Sequence, residues 1–85
     1  MRSFMYTIKC PVGLHARHAG MLVRETSLYQ SNITMSKGDK TVDAKRILGL
    51  MGLGVKQDDT VTVTVDGPDE DVAALKIKSF LWTNF

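Results

Sequence analysis

Hydrophobic and polar positions alternate most regularly in residues 58–67, DDTVTVTVDG. The valines of this segment point to one face of an extended chain and the threonines to the other, which predicts a strand with one buried face. Segments rich in β-branched or aromatic residues predict three more strands, at 4–10, 32–36 and 40–44. A glycine-containing turn at 37–39 joins the last two, so we expect them to form a hairpin.

Apolar residues at three- and four-residue spacing predict helices between the strands. The first helix follows the loop at Gly13, with apolar positions at Ala16, Ala19, Leu22, Val23 and Thr26. A short helix is expected at 46–53, where two glycines limit its length. The third begins after Pro68, where three acidic residues favour a helix N-terminus. Its apolar stripe comprises Ala73, Ile77, Phe80 and Leu81, widened by Ala74 and Leu75, and the tail WTNF is left unassigned.

The predicted order is strand, helix, strand, strand, helix, strand, helix. Each helix has one apolar stripe, and the clearest strand has one polar face, so one layer of helices suffices to cover one side of the sheet. We therefore expect a single α+β domain over residues 1–85. Its predicted architecture is a two-layer open-faced sandwich with a four-stranded antiparallel sheet and three helices on one side.

Composition and charge narrow the function classes. The chain has a net charge of +2, but residues 13–56 contain seven basic residues against three acidic ones, and the balance reverses after residue 57. This split favours a basic face that meets acidic partners or ligands. No segment predicts a membrane span or a signal peptide, and the single Cys10 cannot form an internal disulfide, which fits a cytoplasmic protein.

The stretch GLHARHAG, residues 13–20, carries the candidate chemistry. His15 lies where the loop becomes the first helix, and a helix N-terminus attracts anions through its free N–H groups and its dipole. A neutral imidazole nitrogen is a nucleophile that can attack phosphorus. Arg17 can place its planar guanidinium on phosphate oxygens. Together these residues predict a phosphoryl-acceptor site.

GLHAR, followed by DAKRILGLMGLGV and then by a TVTV strand, resembles HPr, the family of histidine-containing phosphocarriers of the bacterial sugar phosphotransferase system. The resemblance covers essentially the whole chain. It implies that His15 accepts phosphate through Nδ1 from phosphoenolpyruvate-charged enzyme I and donates it to IIA domains of sugar permeases. Arg17 and the backbone N–H groups of Ala16 and Arg17 would bind the phosphate. The implied docking residues are Gly20, Arg24, Ile47, Leu48 and Met51.

The resemblance implies a carrier rather than an enzyme, with no cofactor, no membrane insertion and a monomeric chain. The apolar centre of the docking surface is ringed by basic residues, which suits acidic partners. This basic ring comprises Arg17, Arg24, Lys45, Arg46 and Lys56. The apolar residues of the short helix could instead simply pack in the core. This alternative holds mainly for Leu50 and Leu53, which we expect to be buried. Leu48 and Met51 are expected to be exposed.

Three positions depart from the family pattern. His18 replaces the usual proline, and we interpret it as a tolerated surface substitution. A His–His metal pair needs at least a third ligand. We expect no cysteine and no suitably oriented carboxylate nearby, so no metal site is expected. Val12 replaces a small polar residue. Arg46 stands where low-GC Gram-positive members have a regulatory serine. Arginine has no hydroxyl to phosphorylate, so we do not expect HPr kinase, which phosphorylates that serine in the family, to regulate this protein at residue 46.

Two other function classes remain open. One is a regulatory HPr paralogue, or a specialised nitrogen-type carrier, that docks on regulators instead of serving sugar uptake. Relatives of that kind tend to lose the histidine and keep the serine, whereas this chain keeps His15 and has Arg46. The other is nucleic-acid binding, which ranks low because no aromatic stacking motif accompanies the basic residues.

Overall fold

The computed structural model describes residues 1–85 and contains four strands and three helices. The strands are β1 (Arg2–Thr7), β2 (Asn32–Lys37), β3 (Lys40–Asp43) and β4 (Thr60–Asp66). The helices are α1 (Ala16–Thr26), α2 (Ile47–Gly52) and α3 (Glu70–Asn84). None of the three helices combines the length and apolar character needed to span a bilayer.

The four strands form one sheet in the order β1-β4-β2-β3, and every pairing is antiparallel. The β-branched valines predicted for β4 lie at its centre, where Val63 pairs with Phe4 on one side and with Met35 on the other. The β2–β3 hairpin closes through the Lys37–Lys40 pair, and its turn glycine Gly38 has a φ of 63°. The predicted α+β sandwich and its hairpin are confirmed.

One face of the sheet is buried against the helices and the other remains polar. Val61, Val63 and Val65 are fully buried and belong to a core of 17 apolar residues. On the open face, hydroxyl groups pair across neighbouring strands, as in Thr7 with Thr60 at 2.9 Å and Ser36 with Thr41 at 2.9 Å. This division follows from the period of two along each strand.

Helix α3 is tied to the segment before β2 by Asp69. The Asp69 carboxylate accepts hydrogen bonds from the Ser31 hydroxyl, from the Gln30 N–H at 2.9 Å and from the Ser31 N–H at 3.0 Å. These bonds favour the charged carboxylate, the Ser31 hydroxyl most strongly, and they lower the pKa of Asp69 below its ordinary value of 3.8. Asp69 therefore anchors the start of α3. From the sequence it was predicted only as one of three negative charges that favour a helix N-terminus.

Three details differ from the sequence predictions. Strand β1 begins at Arg2 and ends at Thr7, and Ile8 beyond it is buried in the core. Helix α3 continues through the unassigned tail to Asn84, and Phe85 is buried. Leu75 does not widen the apolar stripe of α3, because it is 70% exposed. The spacing of apolar residues in the sequence did not show where α3 ends or that Leu75 lies on its exposed side.

Candidate functional site

The loop that carries His15 is fixed by backbone hydrogen bonds on both sides. The Gly13 N–H donates to the Cys10 carbonyl at 3.0 Å, which closes a turn across Pro11 and Val12. The Leu14 N–H donates to the Val55 carbonyl at 3.1 Å, and the Leu14 side chain is buried. This loop therefore has a defined path into α1.

Gly13 is required at this point by both conformation and space. Its φ is +67°, a left-handed conformation that side chains disfavour. A Cβ atom built on Gly13 would lie 2.5 Å from the Val55 carbonyl oxygen and 2.8 Å from the Lys56 Cα. Both atoms belong to the backbone and cannot rotate away, so a side chain at position 13 would force the loop and the segment after α2 apart.

His15 occupies the N-cap position of α1, with φ −101° and ψ 179°. Its carbonyl accepts the first helical hydrogen bond, from the Ala19 N–H at 2.8 Å. Its half-buried side chain makes no hydrogen bond within the protein, so neither ring nitrogen is already engaged. A histidine in this state has a free lone pair available for nucleophilic attack.

The N-terminal turn of α1 presents free donors beside His15. The N–H groups of Ala16, Arg17 and His18 have no acceptor in the protein, because an α-helix cannot satisfy its first donors internally. No acidic side chain lies in this turn to compensate them. The arrangement suits an anion bound at the end of α1.

Arg17 and Arg24 both lie exposed on α1, and neither is part of an ion pair. Other cations are engaged within the chain: the Arg46 Nε is 3.7 Å from the Asp43 carboxylate, and the Lys45 Nζ donates to the Tyr29 carbonyl at 2.7 Å. The two α1 arginines are consequently free to bind an external anion. Lys45, expected in the basic ring, is instead half-buried and hydrogen-bonded.

An apolar surface lies on α2, next to α1. Ile47 is 40% exposed, Leu48 is 81% exposed and Met51 is 41% exposed. A Cβ atom added at Gly20 would be 3.8 Å from the Ile47 Cδ1, so Gly20 brings the two helices into contact. The predicted exposure of Leu48 and Met51 is confirmed.

The predicted burial of Leu50 and Leu53 is also confirmed, because both belong to the core. The structure therefore divides α2 and its C-terminal end into a buried side and an exposed apolar side. We name Gly20, Arg24, Ile47, Leu48 and Met51 the α1–α2 surface.

His18 is not the surface substitution that the sequence suggested. Its ring is half-buried, with its centroid 4.5 Å from that of His15 and 5.0 Å from that of Phe85. The Cys10 Sγ lies 3.8 Å from the His18 Nδ1. The expectation that no cysteine lies near the histidine pair is therefore wrong, although no group of three or more His, Cys, Asp or Glu side chains is arranged to hold a metal ion.

Two lysines support this region in a way that the sequence did not reveal. The Lys37 Nζ donates to the Gly54 carbonyl at 2.8 Å, and the Lys40 Nζ donates to the Gly52 carbonyl at 2.9 Å. Both carbonyls lie at the C-terminal end of α2, where cations are favourable. The signal in the sequence was the pair of lysines at positions 37 and 40, which indicated only a contribution to the general basic face.

Comparisons with known proteins match this architecture. The family model "PTS HPr component phosphorylation site" matches residues 2–82. The chain belongs to the HPr family. Among curated HPr proteins, the phosphocarrier of Mycoplasma genitalium is 38% identical over 85 residues, covering 99% of this chain and 97% of the relative. The phosphocarrier of Lysinibacillus sphaericus is 40% identical over 73 residues, covering 86% and 83% of the two chains.

The similarity to HPr extends to three dimensions. The crystal structure of HPr-C-His from Thermoanaerobacter tengcongensis aligns with a TM-score of 0.93 at 36% identity, over 98% of this chain and 93% of that one. The open-faced sandwich is thus the HPr fold, and membership of the HPr family makes the chain a phosphocarrier of the phosphotransferase system.

Proposed function

We propose that this HPr-family chain accepts a phosphoryl group on Nδ1 of His15 from phosphoenolpyruvate-charged enzyme I and passes it to IIA domains of sugar permeases. The observation that carries the proposal is a histidine without hydrogen-bond partners at the N-terminal end of α1, beside three unpaired N–H groups. The proposed setting is the cytoplasm, and the carrier acts as a monomer.

In the acceptor step, the lone pair of the His15 Nδ1 forms a bond to phosphorus while the bond between phosphorus and the donor breaks. The electron pair of the broken bond stays with the donor, and the His15 ring keeps its proton on Nε2. The N–H groups of Ala16 and Arg17, with the Arg17 guanidinium, bind the negative oxygens during transfer. Donation to the next protein is the same step in reverse, with an IIA side chain as the nucleophile.

The α1–α2 surface is the proposed docking site for both partners. It combines exposed apolar side chains with Arg24, which has no ion-pair partner, and this combination suits a partner whose patch is apolar at the centre and acidic at the rim. Because one surface serves donor and acceptor, the two complexes exclude each other. Fast exchange between them is what a carrier requires.

The test is phosphorylation by purified enzyme I and phosphoenolpyruvate. The wild-type chain should gain one acid-labile phosphate, and His15→Ala should gain none. Arg17→Ala should be phosphorylated about 10- to 100-fold more slowly, which corresponds to the loss of a charged hydrogen bond. Lys78→Ala, which removes an exposed cation on α3, is the matched control and should react normally.

Labelling that survives in His15→Ala would refute the assignment of the acceptor. Transfer from the phosphorylated chain to a panel of IIA domains then tests the second half of the proposal. A chain that accepts phosphate but passes it to no IIA domain would instead support the regulatory or nitrogen-type alternative.

A further inference from the structure

His18 and His15 form an aromatic pair on the first turn of α1. Their ring centroids are 4.5 Å apart, and the ring planes are inclined at 56°. This separation lies at the short end of the range in which aromatic rings attract each other. It is the one aromatic contact of His15, whose ring has no hydrogen bond to fix its orientation.

The His18 ring, in contrast, is held from two other sides. The ring of Phe85 meets it edge-on at 5.0 Å, and the Cys10 Sγ lies 3.8 Å from its Nδ1. Phe85 is itself anchored, since its side chain is buried and its carbonyl accepts hydrogen bonds from the N–H groups of Lys9 and Cys10 at 2.5 and 2.8 Å. A well-supported ring is thus placed against an unsupported one.

We propose that His18 is a positioning residue for His15: Cys10 and Phe85 hold the His18 ring, and that ring restricts the rotation of the His15 imidazole. The inference rests on the proposed function of His15 and assigns a role to a residue that breaks the family pattern. Attack on phosphorus requires the nitrogen lone pair to point at the phosphorus atom, so a ring that samples fewer orientations reacts more often.

The expected size of the effect follows from the strength of an aromatic pair. His18→Ala removes the contact and should lower kcat for phosphorylation of His15 about 2- to 10-fold. The apparent KM of the chain for enzyme I should stay unchanged, because the α1–α2 surface is intact. His18→Phe keeps a flat ring between Phe85 and His15 without ring nitrogens, and it should restore most of the kcat that His18→Ala loses.

Nuclear magnetic resonance of the His15 ring provides a readout that needs no phosphoryl donor. The ring carbon-bound protons of His15 should shift in His18→Ala, because a neighbouring ring current is lost, and their relaxation should report faster ring motion. His18→Phe should restore the slow motion. Far-UV circular dichroism of each variant confirms that α1 is formed, and alanine at this helical position favours folding.

Each outcome decides the proposal. An unchanged kcat in folded His18→Ala, an effect confined to KM, or a Phe variant as slow as the Ala variant would overturn it. Unchanged motion of the His15 ring in His18→Ala would overturn it as well. If the wild-type chain accepts no phosphate from enzyme I, the proposed function fails, whereas the motion of the His15 ring still decides whether His18 positions it.

Discussion

Replacing Gly13 with alanine perturbs the site through the backbone alone. The left-handed φ of +67° costs an alanine about 1–2 kcal/mol. The added Cβ would lie 2.5 Å from the Val55 carbonyl oxygen, so the loop and the segment after α2 must separate. Overpacking of this kind costs about 1–3 kcal/mol, and the sum predicts a loss of about 2–5 kcal/mol in the free energy of unfolding.

Gly38→Ala is the matched control. Gly38 has a φ of +63°, close to that of Gly13, but a Cβ added there meets no atom within 4 Å. It should therefore show the conformational cost without the clash, about 1–2 kcal/mol. Urea unfolding followed by far-UV circular dichroism measures both losses. Trp82 is 79% exposed, so its fluorescence is a poor probe of unfolding.

The same Gly13→Ala variant should also be a poor phosphoryl acceptor. The loop leads directly to His15, and a forced separation from Val55 displaces the N-terminal end of α1. Under conditions in which the variant remains folded, phosphorylation by enzyme I should slow, while Gly38→Ala should react like wild type. If the two variants lose equal stability, the close approach to Val55 does not contribute, and the reasoning from the Cβ position is refuted.

Three further predictions concern other parts of the fold. Because the pKa of Asp69 is lower in the folded chain, its carboxylate stabilises the fold above about pH 4, and this contribution disappears as the pH falls through the folded-state pKa. Asp69→Asn should therefore make the free energy of unfolding less dependent on pH on the acid side, as measured by urea unfolding between pH 2 and pH 7. Leu50→Ala should lose about 2–5 kcal/mol of stability, as measured by urea unfolding, because Leu50 is buried. Leu48→Ala should lose less than about 0.5 kcal/mol but raise the KM for enzyme I, because Leu48 is exposed. Equal losses of stability would contradict the assignment of the buried and exposed sides of α2. Arg46 should gain no acid-stable phosphate from HPr kinase and ATP, while Arg46→Ser should offer that kinase a hydroxyl, with site mapping by mass spectrometry as the measurement.

The parts of the fold that were predictable from sequence are those determined by local periodicity. Strand β4 alternates between valine and threonine, so its buried face is visible without any partner strand. Helix α2 was also divided correctly, but through the resemblance to HPr, which implied that Leu48 and Met51 belong to an exposed docking patch and left Leu50 to the core. The GLHAR motif likewise identified His15 as the candidate acceptor. Its place at a helix start depends on adjacent residues, and the resemblance to HPr adds two further motifs along the chain.

The environment of His18 could not be predicted in this way. It depends on Phe85, which is 67 positions away along the chain, and on Cys10, which lies across the turn. The tail that contains Phe85 has too few apolar residues for a periodic pattern, and tertiary packing decides that it continues α3. Local reasoning therefore found the reactive residue but not the side chains packed around it.

Backbone hydrogen bonds to distant parts of the chain determine when during folding the site around His15 can form. The segment that leads to His15 is tied to three distant points: Ile8 to Asp59 at 2.9 Å, Leu14 to Val55 at 3.1 Å, and Cys10 to Phe85 at 2.8 Å. In a small domain that folds cooperatively, contacts of such long sequence separation require distant parts of the chain to come together. A nascent or partly unfolded chain that has not placed the end of α3 cannot form the bond from Cys10 to Phe85. We therefore expect the ability to take up phosphate to appear only once the chain has finished folding.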